Sequence, residues 1–198
     1  SDGKTIWVKY SAFWNQISGR IDGQFGLYKY DVATGKRDFY VQDNSVYSPS
    51  PHPTKNYMLL VHSYGRIKSH SLSPFDDDGR NVLKGNDDFS ISSSGSGVVR
   101  WKLDGSGFFF IGTAKWAGDK DDGILFANPT KEVVELVVPQ IPDKLGALKN
   151  CAISPDGVSV VLDVYNPDKK TSDLYRYNSN TKKFTALTKD GKSSDPSW

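Results

Sequence analysis

Short apolar runs recur along this chain, separated by clusters of Gly, Pro, Asp and Asn. Ser159–Tyr165 is rich in Val, Asp173–Tyr177 alternates apolar with polar positions, and Phe184–Leu187 follows a turn at 178–182. The same rhythm gives Thr5–Tyr10, Phe25–Tyr30 and Asp38–Val41, then Tyr57–His62, Arg66–Leu72 and Asn81–Lys84, then Phe108–Gly112, Gly123–Ala127 and Val133–Val138. Runs of this length, bounded by turn residues, read as strands. No segment carries a capped 3.6-residue apolar period. Val134–Leu145 comes nearest, and Pro139 and Pro142 break it. The pattern predicts an all-β chain.

The turns repeat as well as the strands. Ile153-Ser154-Pro155-Asp156-Gly157 and Trp101-Lys102-Leu103-Asp104-Gly105 share one grammar, with Asp2-Gly3 and Pro53-Thr54-Lys55-Asn56 in the matching places. Asp2, Thr54, Asp104 and Asp156 lie 52, 50 and 52 residues apart. Four units of about 50 residues, each with four strand signals, predict a β-propeller of four blades with four antiparallel strands each. The unit from Thr54 is the most divergent.

The two ends complement each other. Asp195-Pro196-Ser197-Trp198 followed by Ser1-Asp2-Gly3-Lys4-Thr5-Ile6-Trp7-Val8 spells strand, turn and strand. The expectation is one domain over residues 1–198. In it, Ser194–Trp198 completes the N-terminal blade and closes the ring, with Trp101 and Trp198 as inner-strand core residues. A fragment of a larger propeller is the competing reading, and it would leave sheet edges open.

These motifs resemble the TolB-like, WD40-like propeller repeats. The resemblance rests on Pro196-Ser197-Trp198-Ser1-Asp2-Gly3-Lys4, on Leu27-Tyr28-Lys29-Tyr30-Asp31-Val32-Ala33-Thr34-Gly35-Lys36, and on Ser154-Pro155-Asp156-Gly157 through Leu187-Thr188. It is partial at Trp101–Gly105 and weak at Pro51–Asn56. It implies the propeller fold and the structural role of Gly3, Gly105 and Gly157. It implies little about function, because such propellers bind proteins, bind sugars or accompany enzymes. TolB-like propellers usually have six or more blades, so four is a departure.

Composition narrows the function classes. The chain has 198 residues, 25 basic and 23 acidic, for a net charge of +2. That balance gives no reason to expect a nucleic-acid partner. No run of about 18 apolar residues is present to span a membrane. The single cysteine, Cys151, excludes an internal disulfide framework, and its apolar context suits a buried, inert thiol. The chain opens on Ser1 rather than Met, which reads as a processed or cut terminus. The compartment expected is periplasmic or secreted, and the state expected is a monomer.

Candidate binding residues cluster in the loops between second and third strands of each unit. Each carries an aromatic: Phe13 and Trp14, then Tyr64, then Trp116, then Tyr165. Flat rings stack on sugars and anchor protein partners. Asn15, Gln16, Arg20, Lys115, Asn166 and Lys169 supply polar neighbours. The competing reading packs these rings between blades, most readily for Tyr64 and Tyr165 beside strand ends.

Other chemistry is thin. Asp119, Asp121 and Asp122 have the oxygen density of a Ca²⁺ loop without its spacing, and Asp76-Asp77-Asp78-Gly79 is similar. Solvated turn carboxylates are the plainer reading of both, so no cofactor is expected and Ca²⁺ is the one candidate. His52, His62 and His70 all fall in the second unit, but their spread over two strands argues against one shared centre. Ser92-Ser93-Ser94-Gly95-Ser96-Gly97 lacks the order of a nucleophile elbow and reads as a loop between blades.

The sequence therefore predicts a non-catalytic module that recognises a glycan or a protein partner on the aromatic loop face or in the central funnel. Two alternatives stand beside it. One is an interaction scaffold or accessory propeller of a larger enzyme such as a peptidase. The other is a carbohydrate-active enzyme whose funnel carboxylates only coordinates can reveal.

Overall fold

The structure, a computed structural model, describes residues 4–10, 13–15, 20–22, 26–41, 46–62, 65–72, 79–92, 98–142 and 145–197. Eighteen strands and one 3-10 turn fall among them. The first blade has β1 (Thr5–Tyr10), β4 (Gly26–Asp31) and β5 (Arg37–Val41), in the order β1-β4-β5. A separate hairpin, β2 (Phe13–Asn15) with β3 (Arg20–Asp22), stands in the connection between β1 and β4. The second blade is β6 (Val46–Pro51), β7 (Tyr57–His62), β8 (Arg66–Ser71) and β9 (Arg80–Lys84), in that order. The third has β10 (Phe89–Ile91) and β11 (Val99–Trp101), which both pair with β12 (Phe108–Ala114), followed by β13 (Gly123–Asn128) and β14 (Val133–Val138). The fourth is β15 (Ala147–Ile153), β16 (Ser159–Asn166), β17 (Thr171–Asn178) and β18 (Lys183–Ala186). Neighbouring strands are antiparallel throughout. This is a four-bladed β-propeller arrangement.

Apolar faces explain the stacking. Alternate residues of a strand point to opposite faces, so a blade buried on both sides needs near-continuous apolar runs. β7 and β12 are such runs, with Met58, Leu59, Leu60 and Val61 inaccessible and Phe108–Ile111 buried. One cluster joins Leu27 of the first blade to Met58 and Leu60 of the second. A second joins Leu59, Val61 and Ile67 to Phe108, Phe110 and Leu125 of the third. A third joins Phe109, Ile111 and Ile124 to Val160, Leu162 and Tyr177 of the fourth. Each fully buried Leu, Ile or Phe contributes about 1.5–3 kcal/mol, so these seams hold the blades together.

Side chains close the turns. In the last blade, Asp156 Oδ1 accepts the Val158 N–H at 2.9 Å and the Ser154 hydroxyl. In the third, Asp104 Oδ1 accepts the Ser106 N–H at 2.9 Å and its hydroxyl at 2.6 Å. The second blade has no carboxylate there, and His52 Nδ1 accepts the N–H groups of Thr54 and Lys55, each at 3.1 Å. A different group does the same work, which explains the weak sequence match of this unit. Gly105 and Gly157 take φ of +69° and +72°, as the turn grammar predicts.

The serine-rich loop falls on residues 93–97, outside the described part. β10 and β11, on either side of it, both pair with β12. One reading needs revision. The connection after β1, read as a loop, holds the β2–β3 hairpin. Its strands are three residues each, too short to show a period.

Of the expected closing strand, Ser194–Trp198, residues 194–197 form no strand, and Trp198 and Ser1-Asp2-Gly3 lie outside the described residues. The segment before it is pegged to the last blade. Asp173 Oδ1 accepts the Gly191 N–H at 3.0 Å and the Thr188 hydroxyl at 3.1 Å. Asn150 Nδ2 donates to Asp195 Oδ1 at 3.2 Å.

Candidate functional site

Where the inner strands β11 and β15 of blades three and four end, a cavity of about 370 Å³ opens. Arg100, Trp101 and Leu103 line one side, Cys151 and Ile153 the other, and Pro196 borders it. Leu103 is 69% exposed at its mouth. Trp101 is fixed by its indole N–H, which donates to the Ser50 carbonyl at 3.0 Å. Its ring meets His52 at 4.5 Å and Phe108 at 5.5 Å, both edge-on. The Lys102 ammonium, at the same mouth, pairs with Asp104 at 3.0 Å. The described lining contains two cationic side chains and no Asp, Glu or His. Its one thiol, Cys151, is buried and pushed up to about 12 by desolvation, so it stays protonated. A concave apolar wall with two cations suits recognition.

The sequence placed its site at the opposite ends of the blades, on the loops between second and third strands. Trp116 sits there in the 3-10 turn Lys115–Ala117, 46% exposed, with one edge against Phe89 at 6.2 Å. The Lys115 ammonium donates to the Asn86 carbonyl at 3.0 Å and steadies this turn. Tyr165 lies within β16 and is half-buried, with the Lys149 ammonium 5.4 Å from its ring centroid. That cation occupies its face. Trp14 pairs with Ile21 and Asn15 with Arg20 in the β2–β3 hairpin, and their side chains lie outside the described part. Tyr64 is outside it altogether.

The acidic loop does not converge on a point. Asp119 Oδ2 accepts the Gln140 N–H at 3.2 Å, Asp121 Oδ2 accepts the Gln140 amide at 2.9 Å, and Asp122 Oδ1 accepts the Thr113 hydroxyl at 3.1 Å. Among the described residues no group of three or more His, Cys, Asp or Glu is placed to hold a metal ion. Asp76, Asp77 and Asp78 lie outside them.

Two of the three histidines meet. His62 Nε2 and His70 Nε2 are 3.0 Å apart, while His52 belongs to the other seam of the blade. The sequence argument missed this because it measured separation along the chain. In the antiparallel β7–β8 pair, Met58 faces His70 and His62 faces Arg66, so both histidines share one face. His52 itself is buried, and its Nε2 lies against the Gly105 backbone without a well-formed hydrogen bond. Burial, then the Lys55 charge, push its pKa down, with the Gly105 backbone pulling weakly the other way.

These features define a β-propeller with a cavity beside the inner strands. In fold it is similar to TolB from Acinetobacter baumannii, with a TM-score of 0.61 and 20% identity over 94% of this chain and 41% of that chain. The putative TolB from Agrobacterium tumefaciens gives 0.61 and 19% over 85% and 56%. A structural genomics protein of unknown function from Bacteroides thetaiotaomicron gives 0.64 and 11% over 98% and 47%. This chain therefore spans about half the length of those structures, and the likeness is one of fold. No protein-family profile and no curated protein matches the chain.

Proposed function

We propose that this propeller is a non-catalytic recognition module, and that its ligand is an extended segment of a protein partner carrying an acidic group. The observation that carries this reading is the cavity of about 370 Å³ beside β11 and β15. Its apolar wall suits a side chain of the partner. Arg100 favours a carboxylate over a cation, while Lys102 is held by Asp104. Its described lining offers no ordinary acid or base for turnover, which sets it apart from the carbohydrate-active alternative.

The exposed Trp116 favours a second reading, a glycan stacked on the loop face. The two separate cleanly. Labelled protein is applied to arrays of acidic, neutral and basic peptides and of oligosaccharides. Saturable binding of acidic peptides, lost in Leu103→Asp and kept in Trp116→Ala, supports the first. Saturable binding of one glycan class, lost in Trp116→Ala and kept in Leu103→Asp, overturns it in favour of the second.

A further inference from the structure

The last blade ends on an open strand edge. β18 pairs with β17 on one side and, among the described residues, with no strand on the other. The Leu187 N–H, directly after β18, donates to the Leu174 carbonyl of β17 at 2.8 Å. Successive backbone N–H groups of a strand point to opposite edges. Thr185 therefore also donates towards β17, while Phe184 and Ala186 turn their N–H and C=O groups outwards.

A concavity lies on each face of this edge. Tyr175 stands opposite Ala186 and Tyr177 opposite Phe184, so these four share the face that packs towards the third blade. There Phe184, Tyr175, Leu145 and Pro142 wall a groove of about 470 Å³ that all four residues of β18 border. On the opposite face Arg176, Lys183 and Leu187 line a second one of about 280 Å³. Arg176 is held towards β16, where its Nε–H donates to the Ser159 hydroxyl at 3.1 Å. Lys183, on β18 itself, is exposed, as is Lys182 before it.

We propose that β18 receives an extended segment of a protein partner as the fifth strand of this blade, and that this segment alternates apolar with acidic residues. An added strand completes its backbone hydrogen bonds on Phe184 and Ala186. Its side chains then point alternately to the two faces. Those on one face enter the groove walled by Phe184 and Tyr175, and those on the other meet Lys183, which favours carboxylates. The two lysines also oppose pairing of this edge with the same edge of a second copy. The site is separate from the cavity beside β11 and β15, because the two share no lining residue.

The test follows a fluorescent octapeptide that alternates Val with Glu, by anisotropy, against the full chain. Its controls are the same composition as a Val block followed by a Glu block, and an octapeptide that alternates Val with Lys. Saturable binding is expected, at least about tenfold tighter than either control. N-methylation at every Val and at every Glu, in separate peptides, blocks one strand edge each. One form should lose at least about tenfold and the other little, because only one edge of an added strand meets β18. Lys183→Glu changes an exposed side chain, keeps the fold and shifts the preference to the Lys peptide. Ala186→Pro removes an outward N–H that the β17 ladder does not use, so its melting curve stays near that of the parent while binding is lost. Leu103→Asp keeps the binding. Absence of binding by the parent chain, equal effects of the two N-methylations, or unchanged affinity in Lys183→Glu overturns the proposal. So does self-association of the parent chain that Ala186→Pro abolishes, which would assign the edge to a second copy.

Discussion

The indole N–H of Trp101 donates to the carbonyl of Ser50 at 3.0 Å, across 51 residues of sequence. Trp101 ends the inner strand of the third blade and Ser50 lies in the inner strand of the second. The bond fixes one wall of the cavity and ties two blades at the centre of the fold. Trp101→Phe removes the bond and keeps most of the ring, so it should cost about 0.5–1.5 kcal/mol. Trp101→Ala should cost about 3–5 kcal/mol, because it also leaves a void beside His52, Tyr57 and Phe108. Urea unfolding of the three proteins checks the order.

His52 makes stability depend on pH. Its pKa in the fold is lowered, and neutral Nδ1 accepts two backbone N–H groups. Below the ordinary value of 6.5 the unfolded chain therefore binds more protons than the fold at this site. The stabilisation is complete above about pH 6.5 and is lost as pH falls towards the lowered folded pKa. His52→Asn keeps an acceptor and removes the titration. Its urea midpoint should fall less than that of the parent between pH 7.5 and 5.

Asp173 holds the chain after β18 by two hydrogen bonds. Asp173→Ala leaves the Gly191 N–H and the Thr188 hydroxyl without their acceptor. Limited proteolysis should cut within residues 187–195 faster in this variant, while cleavage elsewhere stays unchanged. Equal rates would show that the remaining bonds, among them Asp195 N–H to Asp163 at 3.2 Å, Asn150 to Asp195 at 3.2 Å and Ser172 N–H to the Gly191 carbonyl at 3.2 Å, suffice without it.

Gly112 reports close strand approach. A Cβ there would run into the Ser90 carbonyl of the neighbouring β10. Gly112→Ala should destabilise by about 1–3 kcal/mol in thermal melting. Gly118→Ala has nothing within 4 Å, so only its left-handed backbone resists the change.

The fold was far more legible than the site. Ser159–Tyr165 and Tyr57–His62 announced buried strands because blades stack on both faces. Asp104-Gly105 and Asp156-Gly157 announced turns because their carboxylates and positive φ are local requirements. What escaped depends on partners distant in sequence. His52 looked like an ordinary turn histidine, since its capping role replaces an Asp without resembling one. The His62–His70 contact needs the β7–β8 register. The cavity needs β11 and β15, which are about fifty residues apart, side by side. Trp116 was recognisable as exposed because it sits in a polar loop. Tyr165, beside a strand end, was legible as the more readily covered ring, but not that Lys149 covers it from another strand.

The most direct test of the recognition account is equilibrium binding of the best acidic peptide from the array to the parent chain, Leu103→Asp and Arg100→Ala. The account predicts one saturable site per chain, weakened at least tenfold in both variants and weakened by salt. Affinity unchanged in both variants would contradict it and place recognition elsewhere on the propeller.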